Sequence, residues 1–558
     1  MMTLSELQQK LIQKEFDAYI VTRNNVFLGQ DVLPEENKIL HLTGFTGSAG
    51  HLIVFQKKAV LLVDGRYDIQ ARQQTDSSQI EVVCTRDSIG TWIQNNVKES
   101  CKFIYSPWCH SISEVDYWKR VLDDHLFIED KGDFFDAGVA QTEAEVFELE
   151  EKFAGISSDE KISYLTRFCQ ERQLDAFLLC ECDSVSWLMN LRSNLLPDTP
   201  IFRGFALVSA TGEVSLFQTD FSKLSEELET YRDKTIGLSY NRTPKKFQAL
   251  IKEKHIWIRN VNNPVADWKA AKNPIEISGF KACHKRDAVA VCRFLKWLEE
   301  INYKTDELGV VAKLHDFRSQ GENFYGNSFE TIAGSGANGA IIHYQPSAET
   351  NLPLKEGSLL LLDSGAQYFD GTTDITRTIA VGTPSPEMVD SYTQVLKAHL
   401  AVALALLPPN TPGLVPDTLA RAALWRYGKD YTHGTGHGVG HFLNVHEGPQ
   451  SLSLKSLAPL KKDMVTSIEP GFYKEGVYGI RIENLALTVE TSTKFMSPML
   501  KFEPLTLVPF DRKLINKSLL TVEEINWINA YHKKVETEIL PLLEPKAADW
   551  LKKACAEI

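Results

Sequence analysis

Two of the three aspartates in the stretch LLLLDSGAQYFDGTTDITRT, residues 359–378, have surroundings typical of a site and not of a turn. Asp363 ends a run that reads as a buried strand, and Asp374 follows eleven residues later. A buried carboxylate without a partner costs several kcal/mol, so a positive group must meet it. A tight turn at residues 370–371 would leave the two carboxylates on one face but about 13 Å apart. We therefore expect an irregular loop between them, which Gly365 and Gly371 permit.

Histidines and two further acids follow in the same part of the chain. The glycine-rich stretch YTHGTGHGVGHFLNVHEG contains His433, His437, His441 and His446. In TSIEPGFY an apolar strand is predicted to end on Glu469, just before a Pro-Gly turn pair. In YGIRIENLALTV, Glu483 is predicted to lie within another apolar strand, with Arg481 on the same face. Each side chain alone could be solvated or paired, but the acidic strand ends and the histidine loop together indicate a site.

These residue types favour a pair of divalent metal ions. Four carboxylates around one neutral imidazole would repel one another, and two divalent cations cancel their charge. Oxygen ligands with one imidazole suit Mn, Fe, Co or Zn. Metals about 3.5 to 4 Å apart can hold a bridging water, lower its pKa and polarise a carbonyl, so the predicted reaction is hydrolysis of an amide or ester. The competing HExxH zinc motif is absent from the sequence.

An internal repeat organises the N-terminal half. Residues 4–21 and 162–179 share a helical spacing of apolar residues followed by Asp-Ala-aromatic, so each predicts a helix that leads into a strand. Each is followed by two apolar strands with a short polar turn, in HLIVFQKKAVLLVDGRY and GFALVSATGEVSLFQTDFS. We therefore predict two similar α/β domains in tandem, at residues 1–155 and 156–272.

A third domain is predicted at residues 273–558. Asn273 can cap a helix, Pro274 suits its first position, and Glu276 adds negative charge to its first turn. Apolar residues at helical spacing then continue over about 28 residues. All of the candidate metal ligands fall in this domain.

Length and composition describe a folded, multi-domain protein. The 558 residues exceed one hydrophobic core, and apolar and charged residues make up 43% and 24% of the chain. A net charge of −13 argues against a nucleic-acid or anionic-membrane partner. With no signal-peptide pattern and no 18-residue apolar run, we expect a cytoplasmic protein without a membrane partner. The nine cysteines lack a CxxC pair and indicate reduced thiols; Cys180 and Cys182, read as strand residues, would face opposite sides.

The order and setting of these motifs resemble the dinuclear metallopeptidases of the pita-bread fold. The settings LLDSGAQYFDGTTDITRT, HGTGHGVG, SIEPG and RIEN carry this resemblance, while GAIIHY and HGTGHGVGHFLNVHEGP are similar to the long, three-domain Xaa-Pro aminopeptidases. The resemblance covers essentially the whole chain. It implies an α/β (α+β) fold, with two tandem creatinase-like α/β N-terminal domains followed by a pita-bread catalytic domain and a C-terminal extension. It also implies an aminopeptidase that removes the N-terminal residue from peptides with proline second, by attack of a water bridging two metals.

The resemblance further implies the metal ligands: Asp363, Asp374, His437, Glu469 and Glu483. Asp374 and Glu483 would bridge two divalent ions, most often manganese in this family, with Zn, Co or Fe as alternatives. Asp363 would complete one ion, and His437 with Glu469 the other. Glu469 is also the implied proton shuttle.

Other residues receive roles from the resemblance alone. His343, His433 and His446 match histidines that line the substrate site and hold the scissile carbonyl or the amine. Arg481 is expected to orient Glu483 or Asp374. His441 has no implied role and is interpreted as structural. The family also implies a homodimer through the catalytic domain and proline-containing peptides as substrates.

Two other kinds of function remain open on the sequence. One is a different enzyme of the same fold: a prolidase acting on dipeptides, a methionine aminopeptidase or a creatinase. The full metal set argues against creatinase, which needs no metal, and the duplicated N-terminal half argues against methionine aminopeptidase. The other is a non-catalytic binding module of the same fold, which would be expected to lose ligands, whereas none is lost here.

Overall fold

The structure, a computed structural model, describes residues 2–29, 32–135 and 144–558. The chain divides into two compact units. Unit 1 comprises Met1–Glu148, Ile156–Leu196 and Pro200–Val265, and unit 2 comprises Leu149–Gly155, Pro197–Thr199 and Ala266–Ile558. This division does not separate the two predicted N-terminal domains, so the boundaries at residues 155 and 272 stay predictions. Within the described ranges, no helix combines the length and apolar character that a bilayer span requires.

The first part of unit 1 is a six-stranded mixed sheet with the spatial order β4-β3-β2-β1-β5-β6. Its strands are β1 (Ala18–Thr22), β2 (His51–Phe55), β3 (Ala59–Val63), β4 (Ile80–Cys84), β5 (Lys102–Tyr105) and β6 (Leu126–Glu129). Its helices are α1 (Leu4–Gln13), α2 (Lys38–Thr43), α3 (Asp68–Gln74), α4 (Ile89–Asn96) and α5 (Ile112–Val121). Because Leu4, Leu7 and Leu11 share one face of α1, that face is buried against the sheet.

The second part of unit 1 repeats this plan in a five-stranded sheet with the order β11-β10-β8-β12-β13, beside a short β7-β9 pair. The strands are β7 (Val146–Glu148), β8 (Ala176–Leu179), β9 (Leu191–Ser193), β10 (Phe205–Ser209), β11 (Val214–Phe217), β12 (Thr235–Leu238) and β13 (Trp257–Asn260). The next helices along the chain are α6 (Glu151–Ala154, in unit 2), α7 (Ser158–Glu171), α8 (Cys182–Leu188), α9 (Phe221–Leu228), α10 (Lys245–Glu253) and α11 (Pro264–Ala270).

The predicted repeat is confirmed at the level of topology. In both sheets a helix leads into a central strand, β1 or β8, which pairs with one antiparallel and one parallel neighbour. The predicted hairpins are β2-β3 and β10-β11. The strand interpretation of Cys180 and Cys182 was wrong, because Cys180 directly follows β8 and Cys182 begins α8; both are buried free thiols, as expected.

Unit 2 is built on four sheets with the orders β15-β16-β19, β21-β20-β22-β25-β26, β14-β17-β18 and β23-β24. The strands are β14 (Phe324–Asn327), β15 (Ile332–Ser335), β16 (Ser358–Ser364), β17 (Ala366–Tyr368), β18 (Gly371–Thr372), β19 (Ile375–Val381), β20 (Gly436–Gly438), β21 (Glu447–Leu452), β22 (Val465–Ile468), β23 (Gly471–Lys474), β24 (Tyr478–Arg481), β25 (Asn484–Thr491) and β26 (Met499–Pro504). The helices are α12 (Pro274–Glu300), α13 (Glu307–Arg318), α14 (Pro386–Ala403), α15 (Leu414–Trp425), α16 (Val522–Ile539) and α17 (Pro545–Ala554).

The long helix predicted from residue 274 is confirmed as α12, which has 27 residues. The Asn273 side chain accepts hydrogen bonds from the backbone N–H groups of Ile275 and Glu276, and the Glu276 carboxylate accepts one from the Asn273 backbone at 2.9 Å. This reciprocal cap satisfies N–H groups that a helix start otherwise leaves unpaired. It fixes where unit 2 begins its longest helix.

The main core of unit 2 lies between its helices and the sheet that carries the two aspartates. Leu360 on β16, Tyr392 on α14 and Val535 on α16 are each fully buried in one cluster. Complete burial of such a side chain contributes about 1.5 to 3 kcal/mol. This packing holds β16 and β19 in place and therefore also the acidic residues at their ends.

Candidate metal centre

Asp363 and Asp374 meet at one end of the β16-β19 pair. Asp363 is opposite Thr376 in the antiparallel register, and Asp374 directly precedes β19. The expected irregular loop is confirmed: the intervening residues form the separate β17-β18 pair, with the turn at residues 369–370 instead of the predicted 370–371. Gly365 is required because a Cβ there would lie 2.1 Å from the backbone oxygen of Thr373. The loop leaves the β16-β19 ladder and returns, which brings the two carboxylates together.

A second sheet brings in His437 and Glu469. His437 lies on β20 and not in the predicted histidine loop, whereas Glu469 directly follows β22, in agreement with the predicted strand end. The hydroxyl of Ser467 accepts from the His437 backbone N–H at 2.9 Å and donates to Glu469 Oε1 at 3.2 Å. Gly436 allows this approach, since a Cβ would lie 1.9 Å from the backbone oxygen of Ser467. The Ser467 hydroxyl thus helps to position both candidate ligands.

Glu483 lies between two strands, which corrects the prediction of one continuous strand. β24 ends at Arg481 and β25 begins at Asn484, because the two segments pair with different partners. The Glu483 backbone N–H donates to the Thr376 carbonyl at 3.1 Å, and the Thr376 hydroxyl donates to Glu483 Oε2 at 2.8 Å. These two bonds place Glu483 beside the start of β19.

In the structure, four of the five predicted ligands lie within a few ångströms of at least one other predicted ligand. Asp374, His437 and Glu483 each offer one ligand atom, and these atoms all lie within 4.8 Å of one another. His437 Nε2 is 3.4 Å from Asp374 Oδ2 and 3.3 Å from Glu469 Oε1. The fifth predicted ligand, Asp363, accepts from Arg481 at 2.6 Å, and its charge raises the pKa of Glu469 and Glu483.

The electrostatics of the cluster indicate an excess of buried acid. Burial raises the pKa of Asp363, of Glu483 and of Glu469, the last to about 7, and the neighbouring carboxylates add to each shift. Burial lowers the pKa of His437, but its hydrogen bond to Asp374 and the charge of Glu469 dominate and raise it to about 9. Asp363 Oδ1 is buried without a hydrogen-bond partner. A carboxylate-rich donor set with one imidazole and an orphaned buried oxygen fits divalent cations.

The predicted substrate histidines lie around this cluster. His433 is buried, with Nδ1 3.8 Å from Glu469 Oε2 and Nε2 in a 2.8 Å hydrogen bond with the Tyr473 hydroxyl. The ring of His446 is exposed and its centroid lies 4.3 Å from that of His437. His343 is half-buried and follows Ile342, whose carbonyl accepts from Arg481. Their roles remain predictions.

His441 is the histidine of the glycine-rich stretch that was interpreted as structural. It is 2% exposed, and its ring packs edge-on against Phe280 with centroids 5.5 Å apart. This environment agrees with its interpretation as a structural residue.

Three side chains that bond the candidate site residues were missed at the sequence level: Ser467, described above, Thr376 and Tyr473. Thr376 binds Glu483, and its position two residues after Asp374 on a strand was an available signal. Tyr473 bonds both His433 and Arg481, the latter at 2.7 Å. No spacing rule indicated it, because its place depends on the register of the β23-β24 hairpin.

Comparison with protein families gives matches along the chain. Residues 278–490 match metallopeptidase family M24, and residues 498–558 match the C-terminal region of that peptidase family. Residues 4–131 and 139–276 each match a creatinase/prolidase N-terminal domain. The predicted fold class, two creatinase-like domains followed by a metallopeptidase catalytic domain, is therefore confirmed.

Individual relatives match over nearly the full length. Xaa-Pro aminopeptidase 1 of Dictyostelium discoideum is 35% identical, over 98% of this chain and 95% of its own. The crystal structure of an X-prolyl aminopeptidase from Caenorhabditis elegans, described as a cytosolic enzyme with a di-nuclear active site, has a TM-score of 0.92 at 30% identity, covering 97% of this chain and 95% of its own. A prolidase from Pyrococcus horikoshii, at 26% identity and a TM-score of 0.50, covers 63% of this chain and 99% of its own.

Proposed function

The chain belongs to the Xaa-Pro aminopeptidases of metallopeptidase family M24. From this premise we propose that its five predicted ligands hold two divalent cations and that these cations are manganese. The protein is a metal-dependent aminopeptidase that removes the N-terminal residue from peptides with proline in the second position. The observation that carries the proposed ligand set is the cluster of buried Asp374, half-buried His437 and buried Glu483, where acid exceeds base.

The proposed division of ligands is the one that the family resemblance implies. Asp374 and Glu483, whose ligand atoms lie within 4.8 Å of each other, would bridge the two cations. Asp363, which accepts from Arg481, would complete one cation, and His437 with Glu469 would complete the other. Cations bound here would lower the pKa of a water molecule and polarise the carbonyl that this water attacks.

The side chains around the ligands supply proton transfer and orientation. Glu469 has one oxygen towards His437 and the other 3.8 Å from His433 Nδ1. Its Oε2 is therefore suited to take the proton of the attacking water and pass it to the departing nitrogen. His433 is held through Nε2 by Tyr473, so its ring keeps a fixed orientation beside Glu469.

His343 and His446 are proposed to bind the substrate itself, at the scissile carbonyl or at the amine. Since proline has no N–H, recognition of the second residue cannot depend on an amide donor from that position. Hydrogen bonds to the scissile carbonyl and to the free N-terminus of the substrate then contribute more to the orientation of the substrate.

The observations favour an aminopeptidase over the other two readings. The prolidase structure from Pyrococcus horikoshii covers 63% of this chain with a TM-score of 0.50, whereas the X-prolyl aminopeptidase structure from Caenorhabditis elegans covers 97% with a TM-score of 0.92. A binding module without catalysis does not require a buried acidic cluster of this kind, which carries a desolvation cost when no cation is bound.

The test combines metal analysis with a substrate panel. Purified protein is expected to contain two divalent ions per chain and to cleave Xaa-Pro-Xaa tripeptides, with less activity on Xaa-Pro dipeptides and little on Xaa-Ala-Xaa. Chelation should remove activity, and manganese should restore it. Asp374→Ala and His437→Ala should abolish turnover while circular dichroism stays unchanged. Dipeptide preference would support the prolidase reading, and an inactive protein with two bound metals would support the binding module.

Assembly and location are also proposals. A cytosolic location agrees with the description of the Caenorhabditis elegans enzyme. A homodimer through unit 2 is supported by exposed apolar side chains on α15 and the adjoining loop, where the Leu414 N–H donates to the Ser456 carbonyl. These side chains are Val415, Leu419, Trp425, Leu454 and Leu457.

A further inference from the structure

A buried carboxylate outside the metal centre organises one loop of unit 2. Glu307 is the first residue of α13 and is 0% exposed. Its Oε1 accepts from the Ser335 backbone at 2.7 Å and from Asn338 Nδ2 at 3.0 Å. Its Oε2 accepts from the Tyr344 hydroxyl and from the Leu352 backbone, both at 2.8 Å.

All four donors come from one segment, residues 335–352, and this segment contains His343. After Ser335, the last residue of β15, the segment contains a short 3₁₀ turn at Gly336–Ala340, and no strand or long helix fixes the course of residues 341–352. A carboxylate that accepts from the start, the middle and the end of such a segment limits its movement. Glu307 therefore acts as the common anchor of the segment.

The Glu307 carboxylate is stabilised by neutral hydrogen-bond donors. Among the ion pairs of the described residues, Glu307 has no Lys, Arg or His partner, and its carboxylate is stabilised by hydrogen bonds from neutral groups. Burial raises its pKa, and the hydrogen bonds act in the opposite direction. Burial of an unpaired charge is unfavourable, so full satisfaction by several donors is the condition for its presence there.

The residue before His343 is bonded by Arg481, which also bonds a predicted metal ligand. The Ile342 carbonyl accepts from Arg481 NH1 at 3.3 Å, and NH2 of the same guanidinium donates to Asp363 at 2.6 Å. The residue after His343 is Tyr344, which donates to Glu307. His343 is thus placed between two held neighbours, one connected to a predicted ligand and one connected to Glu307.

From this geometry we propose that Glu307 is a positioning residue for the reaction: it fixes the segment 335–352 so that His343 faces the substrate, without touching the predicted metal ligands. The inference rests on the proposed function, because it needs a role for His343 in that reaction. It assigns to Glu307 an effect on turnover that is separate from metal binding.

The test is a double-mutant cycle with Glu307→Gln and His343→Ala, measured on a Xaa-Pro-Xaa tripeptide with metal-loaded enzyme. Glutamine keeps the size but directs an NH₂ group at donors that need an acceptor. Glu307→Gln is expected to lower kcat about tenfold or more, with KM within about twofold and two metals per chain retained. Added to His343→Ala, it should cause no further loss beyond about twofold, since groups that act as a unit are not additive.

A matched control is Glu36→Gln, another buried glutamate, which lies in unit 1 and bonds Asn25 and Arg203. Its effect should multiply with that of His343→Ala. If Glu307→Gln does not fold, Tyr344→Phe removes one of the four donors and takes its place in the cycle. Multiplicative effects of Glu307 and His343, or loss of metal in Glu307→Gln, would overturn the inference. An inactive wild-type enzyme with two metals bound would instead overturn the proposed function.

Discussion

The guanidinium of Arg481 lies 2.6 Å from Asp363 Oδ2 in the interior of unit 2. The same group donates to the Thr376 hydroxyl at 3.2 Å and to the Tyr473 hydroxyl at 2.7 Å, and Arg481 is 1% exposed. It connects directly to one predicted ligand and, through Thr376, to Glu483. A single buried cation therefore offsets part of the acidic charge and orients side chains from three strands or strand ends.

Arg481→Lys is expected to weaken metal binding while keeping a positive charge. Lysine carries its three N–H donors on a single nitrogen and lacks the planar fork with which the guanidinium reaches Asp363, Thr376 and Tyr473 together. Loss of such an outer partner typically reduces metal affinity about 10- to 100-fold. Competition with a chelator of known affinity measures this loss. The matched control is Arg318→Lys, which removes the two-point hydrogen bonding of a similarly buried arginine to Asp287 and should leave metal affinity unchanged.

The sequence predicted the parts of this site that depend on local rules. The start of α12 followed from Asn273, Pro274 and Glu276 because capping is a local interaction. The excursion between Asp363 and Asp374 followed from strand geometry, since a regular hairpin would have kept the carboxylates too far apart.

Other parts depended on long-range pairing and were out of reach. Glu483 reads as a strand residue, but β24 and β25 pair with different strands and leave it in the gap. The contacts of Glu307 with Ser335 and Leu352 join residues 28 and 45 positions apart, which no periodicity indicates.

Glu447→Gln is expected to destabilise unit 2 more than Lys272→Met. Glu447 is buried between Lys269 at 2.9 Å and Lys272 at 2.5 Å, and both lysines are buried. Removal of the acid leaves two ammonium groups near each other, at a cost of about 3 to 5 kcal/mol, whereas Lys272→Met keeps one pair intact. Urea unfolding measures both. Equal losses, or a larger loss in Lys272→Met, would contradict the charge argument.

Trp425→Glu is expected to dissociate the proposed homodimer. Trp425 is 47% exposed at the C-terminal end of α15, the helix that also exposes Val415 and Leu419. A carboxylate within an apolar interface is unfavourable because it is desolvated without a partner. Sedimentation should show a fall from twice 62.9 kDa to 62.9 kDa. Val522→Glu, at an exposed apolar residue of α16, is the control and should leave the mass unchanged; a wild type that sediments as a monomer would refute the dimer.

His532→Gln is expected to reduce the acid sensitivity of unit 2. His532 is fully buried and its Nε2 accepts from the Phe510 backbone at 3.2 Å. Burial lowers its pKa from 6.5 to about 4, and the charges of Arg377 and Arg512 add to this shift. Below pH 6.5 the unfolded chain therefore binds a proton that the folded chain does not. The free energy of unfolding falls as the pH falls from 6.5 towards 4.

At pH 5 this group alone accounts for about 2 kcal/mol of lost stability relative to pH 7.5. Glutamine can accept from the same N–H group without titrating. Between pH 7.5 and 5 the free energy of unfolding of His532→Gln should therefore fall by about 2 kcal/mol less than that of the wild type. Urea unfolding at pH 7.5, 6 and 5 measures the difference between the variant and the wild type. Subtracting the wild-type free energy of unfolding from that of the variant at each pH removes the contributions of other titrating groups. His41→Gln, at an exposed histidine, should retain the wild-type slope, and an equal slope in His532→Gln would contradict the burial argument.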